Sequence, residues 1–147
     1  MLIRLGPQEK HEVAHVTYTR NDKSHDVPRT IQLYLPQRLF AHQSGLGRAH
    51  YKQGPESSVD YHENTKPTYH DEMGCFALHF DQHRIRQKSS KNFKFQRKTA
   101  ADGGNVTMMQ FGRVLDRSTF VLDYAYPLSP FTAFCIALTA MNPALKD

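Results

Sequence analysis

Apolar and polar residues alternate with period two in six stretches of this chain. In EVAHVTYTR, Ala14, Val16 and Tyr18 alternate with His15, Thr17 and Thr19, and RTIQLYL sets Ile31, Leu33 and Leu35 against Gln32 and Tyr34. CFALHF groups Phe76, Leu78 and Phe80, and KNFKFQ pairs Phe93 with Phe95, leaving Asn92, Lys94 and Gln96 on the outer face. NVTMMQFGR and STFVLDY complete the set, with Phe120, Leu122 and Tyr124 in phase. Period two is the mark of a strand buried on one side. Helical period appears only at the end, in SPFTAFCIALTAMNP. There Ser129 is placed to cap, Pro130 fits the first helical position, and Asn142–Pro143 forms a stop. The chain is therefore expected to be mainly β, antiparallel, with one C-terminal helix.

That helix has no charged residue between Pro130 and Met141. Phe131, Phe134, Ile136, Leu138 and Met141 point in all directions, so the helix is expected to be buried all round as a structural core. Roughly twelve residues are too few to span a bilayer, which needs about 20. A helix sealed by strands implies a barrel, and barrel width grows with strand number. About six strands are too few to close around a helix, so the chain is expected to form part of a larger barrel. The 36–67 stretch is rich in Gly, Ser and His, and is expected to be a long loop with at most one short strand.

Composition changes this picture little. At 147 residues the chain fits one domain, and its mean hydropathy of −0.63 is that of a polar protein. The start turns polar after five residues, unlike a signal peptide. Cys75 and Cys135 lie in apolar runs and are expected to be reduced, which suits an intracellular protein. A formal net charge of +5 favours polyanionic partners: lipid headgroups, nucleic acid or acidic proteins.

Candidate chemistry centres on RIRQKSSKNFKFQRK. Arg84, Arg86, Lys88, Lys91, Lys94, Arg97 and Lys98 are seven basic residues with no acidic residue among them. Two readings stand: an anion-binding ribbon for headgroups or nucleic-acid phosphates, or a solvated hairpin face that discourages edge aggregation. The even-numbered phase that buries Phe76, Leu78 and Phe80 would also bury Arg84, Arg86 and Lys88, so the chain must bulge or turn near Asp81–His83. His79, Asp81 and His83 alternate as metal ligands could, but no fourth ligand is apparent and no metal or cofactor is expected. Asp123 is expected to be a buried or semi-buried carboxylate at the strand-to-helix turn. The glycines of ADGGN lack a phosphate-loop context and make a hairpin turn. No catalytic constellation is present, so no enzyme is expected.

The segment MMQFGRVLDRSTFVLDYAYPLSPFTAF resembles the carboxy-terminal signature of tubby-like proteins. Met109–Val114, Phe120, Asp123, Tyr124, Tyr126, Pro127, Leu128, Ala133 and Phe134 fall in register with it. SKNF and NTKPTYHDE resemble two further family motifs upstream, and HFDQHRI departs from a third by one extra residue and a missing glycine. The resemblance implies a closed β-barrel threaded by a hydrophobic C-terminal helix, with this chain corresponding to roughly the second half. It also implies phosphoinositide binding, especially phosphatidylinositol 4,5-bisphosphate, in a membrane-docked adaptor that traffics protein cargo. Cytoplasm and plasma-membrane periphery are the implied locations, with cilium or nucleus as further ones. The family's phosphate-clamping Lys/Arg strand does not occur in this chain, so no lipid-binding residue carries over. A nucleic-acid-associated module and an interaction remnant without lipid binding stay open as alternatives.

Overall fold

Strands form where alternate side chains can be buried together, and the register of this chain does that twice over. The computed structural model describes residues 2–5, 11–19, 29–36, 59–98, 103–116 and 118–142. Strands β1 (Leu2–Leu5), β2 (His11–Thr19), β3 (Thr30–Pro36) and β4 (Val59–Glu63) form one antiparallel sheet in that order. Pairing of Val16 with Leu33 and of Tyr18 with Ile31 sets Ala14 and Val16 on one face with Ile31, Leu33 and Leu35, and all five are buried. The opposite face carries a row formed by His15, Tyr34 and Tyr61, directly paired across three strands.

A short ladder joins β5 (Thr68–His70) to β6 (Cys75–Ala77). The third sheet is the meander β7 (Phe93–Lys98), β8 (Asn105–Arg113) and β9 (Phe120–Tyr124), which buries Phe93, Phe95, Met108, Met109 and Phe111. The turn before β9 is held by Asp116, whose Oδ1 accepts the Ser118 amide at 2.8 Å and whose Oδ2 accepts the Thr119 hydroxyl at 2.8 Å. The Thr119 hydroxyl first, then the Ser118 and Thr119 amides, hold its pKa down at about 2.

One residue links the two larger sheets. Asn64 forms a bridge to Phe95 of β7, and its side-chain oxygen accepts the Ile31 amide at 2.7 Å. The next amide, Thr65, donates to the Lys94 carbonyl at 2.7 Å.

The helix α1 (Pro130–Thr139) starts as its sequence requires. The Ser129 hydroxyl accepts the Thr132 amide at 3.1 Å, and Pro130 occupies the first turn. Its last turn tightens, with Ala140, Met141 and Asn142 amides each bonding three residues back. The helix lies against β2 and β9. Tyr18 and Thr139 share a hydroxyl hydrogen bond of 2.6 Å, and the Thr139 hydroxyl also reaches the Ile136 carbonyl at 2.7 Å.

Two expectations are corrected here. Among the described residues nine strands in three antiparallel sheets replace the six expected, while they form no closed barrel, as expected of this chain alone. β1, β4 and β5 are the additions; β4 lies inside the 36–67 stretch, of which 37–58 are outside the described residues. The helix is also not buried all round. Its small residues Thr132, Ala133, Ala137, Thr139 and Ala140 are buried with Ile136, while Phe131, Phe134 and Leu138 are 47%, 55% and 48% exposed and Met141 is half-buried. The reason is geometric: strands cover one side of the helix, and small side chains let it lie close to them. Beside it opens an apolar groove of about 300 Å³ lined by Phe111, Phe120, Leu122, Phe134, Leu138 and Met141.

The two faces of the helix should respond differently to truncation. Ile136→Ala empties a fully buried site and should lower stability by about 2–5 kcal/mol. Phe131→Ala should cost about 1 kcal/mol or less, because half of that ring is already in water. Urea unfolding midpoints of the two variants check this, and equal losses would mean that the helix is covered on both sides.

Candidate anion-binding site

The basic segment begins where the alternation breaks. Strand β6 ends at Ala77, and Asp81–His83 form a single 3-10 turn in which Gln82 and His83 take left-handed backbone angles, φ 60° and 52°. The phase of the chain therefore changes where buried arginines would otherwise result. Beyond the turn, residues 84–92 form an irregular loop across the end of β8. The Arg86 and Gln87 amides donate to the Arg113 carbonyl at 3.2 and 3.3 Å, and the Arg113 amide donates to Asn92 Oδ1 at 2.9 Å. The same Asn92 donates through Nδ2 to the Gln87 carbonyl at 2.8 Å.

Gly112 makes that approach possible. A Cβ built on Gly112 would lie 2.5 Å from Ile85 Cγ2 and 3.1 Å from Asn92 Cγ. Ile85 thus seats on bare backbone, between Arg84 and Arg86.

The seven basic residues do not form one continuous face. Arg84 is ion-paired to Asp123, which also accepts Gln110 Nε2 at 2.9 Å. Asp123 is half-buried as expected, yet it serves a cross-strand network instead of the turn before the helix. Lys94, expected on the outer face in solvent, is only 4% exposed. Its Nζ donates to Asp81 Oδ1 at 3.0 Å and to the His79 carbonyl at 3.4 Å. The 3-10 turn covers this face of β7–β8 and supplies the counter-charge. Asp81 also takes the Thr107 hydroxyl on Oδ2, and the Gln110 side chain bonds the Asp81 amide and carbonyl at 3.0 and 3.2 Å. The Thr107 hydroxyl, and next Lys94, hold the Asp81 carboxyl below its ordinary 3.8.

Arg97 and Lys98 are exposed at the far end of β7. Arg97 belongs to the surroundings of half-buried His62, whose pKa is lowered by burial, raised by Asp60 and lowered again by Arg97. That leaves Arg86, Lys88 and Lys91 on the loop itself. Arg86 Nε donates to the His83 carbonyl at 3.1 Å and Lys88 Nζ to Cys75 Sγ at 3.1 Å, and both side chains are exposed. One cation that the sequence did not single out stands beside them: Arg29 donates to the Ser90 carbonyl. It is far from the loop in sequence, so only the fold could reveal it. Arg113 touches the loop through its backbone, while its side chain lies 5.4 Å from the Phe120 ring centroid with its Nε buried and unpaired. His79 and His83 pack edge to face at 6.0 Å, and no group of three metal-ligating side chains occurs among the described residues.

Asp81→Asn should leave Lys94 as a buried cation without its counter-ion and lower stability by about 1–3 kcal/mol. The sign with pH follows from the depressed carboxyl: its contribution is complete above the ordinary value of 3.8 and is lost as pH falls through the lower folded value. Urea unfolding of parent and variant from neutral to acid pH checks this, with the two curves converging at the acid end.

The model of the Tub family matches residues 3–143. Over 146 residues the chain is 32% identical to Tubby-related protein 1 of Homo sapiens, covering 92% of this chain and 26% of that protein. It is 32% identical to Protein king tubby 2 of Aedes aegypti, covering 95% of this chain and 36% of that one. It is 29% identical to Tubby-like F-box protein 11 of Arabidopsis thaliana, covering 92% of this chain and 43% of that one. The chain thus spans between about a quarter and two-fifths of the length of these relatives. With the family's model matching from β1 to the end of the helix, the chain belongs to the Tub family.

Proposed function

We propose that this chain serves as part of a membrane-docked, tubby-type adaptor that meets phosphoinositide headgroups, phosphatidylinositol 4,5-bisphosphate among them, at the membrane periphery. Its anion-facing element is the loop from Arg84 to Asn92. The observation that carries the reading is the way this loop is fixed: bonds to the Arg113 backbone, the Ile85–Gly112 contact and the Arg29–Ser90 bond hold the segment bearing Arg86, Lys88 and Lys91 beside Arg29. Four cations gathered at one end of a sheet are more than a scattered solvated face needs. Arg84 and Lys94 support the loop through Asp123 and Asp81, and Arg97 and Lys98 contribute long-range field only. No helix among the described residues is long and apolar enough to cross a membrane, so the docking proposed is peripheral. A protein cargo would be carried by the remainder of the surface.

Replacing Arg86, Lys88 and Lys91 together by Ser should remove about 3 kcal/mol of attraction to an anionic surface, at about 1 kcal/mol per cation. Vesicle flotation should show binding reduced by roughly 150-fold, with a flattened dependence on salt. Arg97→Ser with Lys98→Ser should change binding far less. Discrimination among phosphoinositides should be poor, since the family's Lys/Arg clamp strand does not occur in this chain. A DNA mobility shift at the same salt is the counter-test: tighter binding to DNA than to vesicles would replace the lipid reading with a nucleic-acid one.

A further inference from the structure

The basic loop carries a second pattern that phosphoinositide docking does not use. Its sequence is Arg84-Ile-Arg86-Gln-Lys88-Ser89-Ser90-Lys91. Arg84 and Arg86 stand five and three residues before Ser89. Arginines at those two spacings are what the acidic substrate subsites of basophilic serine kinases bind, by charge and by bidentate geometry. We infer that Ser89 is a phosphorylation site for an arginine-directed serine kinase, and that phosphate there switches off the anion-binding loop. The inference rests on the membrane reading above for its consequence, though not for the modification itself.

The geometry suits both steps. A kinase needs its substrate as an accessible, irregular segment, and residues 84–89 lie in neither helix nor strand. Arg84 and Arg86 are exposed, and the Arg84–Asp123 pair is open to solvent on the arginine side, 51% exposed, so it can be exchanged for a kinase carboxylate. The Ser89 hydroxyl is half-buried, and its one hydrogen bond, accepting the Lys91 amide at 3.2 Å, is a local turn contact. Ser90 is more exposed but has Gln87 three residues before it, which the acidic subsite does not favour. In the transfer, Ser89 Oγ attacks the γ-phosphorus of magnesium-bound ATP, the hydroxyl proton passes to the kinase's general base, and ADP leaves. The product adds nearly two negative charges between Lys88, one residue before Ser89, and Lys91, two residues after it. The three loop cations then carry a net charge near +1 in place of +3, the arrangement of an electrostatic membrane switch.

The test uses the full chain, treated with an arginine-directed serine kinase and magnesium ATP, then read by mass spectrometry and by flotation. The vesicles are phosphatidylcholine containing phosphatidylinositol 4,5-bisphosphate. The expected result is one phosphate, on Ser89, with vesicle affinity reduced roughly 30-fold, each lost charge counting for about a factor of five. Phosphatase should restore binding, and Ser89→Ala should take up no phosphate and bind equally before and after treatment. Phosphate on Ser90 alone, or none on the folded chain, overturns the assignment. Full occupancy of Ser89 with unchanged vesicle binding overturns the switch while leaving the membrane reading intact. Failure of the untreated chain to float with vesicles overturns the membrane reading and the switch together, and the mass spectrum then decides the modification alone.

Discussion

The structure turns on Asn64. It is buried, and it makes in one residue the contacts that a pair of neighbouring strands would spread over several. Its backbone amide donates to the Ile31 carbonyl at 3.0 Å, its Oδ1 accepts the Ile31 amide, and its Nδ2 reaches the Arg29 carbonyl at 3.3 Å. Facing the other way, it bridges to Phe95. An amide side chain that both donates and accepts can satisfy the polar groups left where one ladder ends and another begins. Left unpaired in the core, each would cost about 1–3 kcal/mol. Through this joint the β1–β4 sheet and the β7–β9 sheet present their apolar faces to one core, and the helix rests against a strand of each.

The outer face of the third sheet is organised by charge instead of by apolar contact. Lys94 pairs across the ladder with Gln110, and Gln110 with Asp123, so cation, amide and carboxylate form one row over three strands. Asp81 closes the row from above and Arg84 from the side. This row fixes the 3-10 turn, and the turn fixes where the basic loop begins. Charges within the segment therefore divide by task. Arg84 and Lys94 neutralise carboxylates and hold the loop in place, whereas Arg86 and Lys88 are exposed and Lys91 is half-buried. A buried, paired cation contributes little field at the surface, so counting basic residues overstates what a partner would meet.

Much of this was legible in the chain. The strands β2, β3, β7, β8 and β9 follow from alternation, because a residue pair two apart shares a face whatever the surroundings. The turn near Asp81–His83 follows from the cost of burying arginine. The helix start follows from Ser129 and Pro130, whose effects are local, whereas its end at Thr139 falls short of the expected stop at Asn142. Two strands were not legible and a third could not be positioned, for physical reasons. β5 has no buried residue and so no alternation to detect. β4 matches the one short strand allowed within 36–67, but Asp60 and His62 share the face of Leu35 and Leu33, and these polar residues disguise the pattern. β1 is four residues long, too short for a period to show.

What the sequence determined by itself was every property set by near neighbours: strand faces, helix caps, the forced change of phase, the family signature and the accumulation of positive charge. Tertiary structure alone decided which apolar face of the helix is covered, since Phe131 and Ile136 are equally hydrophobic signals and only the sheets distinguish them. It alone decided that Lys94 is covered on its outer face, because its partner Asp81 stands thirteen residues away and reaches it over the sheet. It alone brought Arg29 and the backbone of Arg113 to the basic loop, over separations of 61 residues between Arg29 and Ser90 and 21 between Asn92 and Arg113. Local rules fix the direction in which a side chain points; what it meets there depends on chain segments that no local pattern can place.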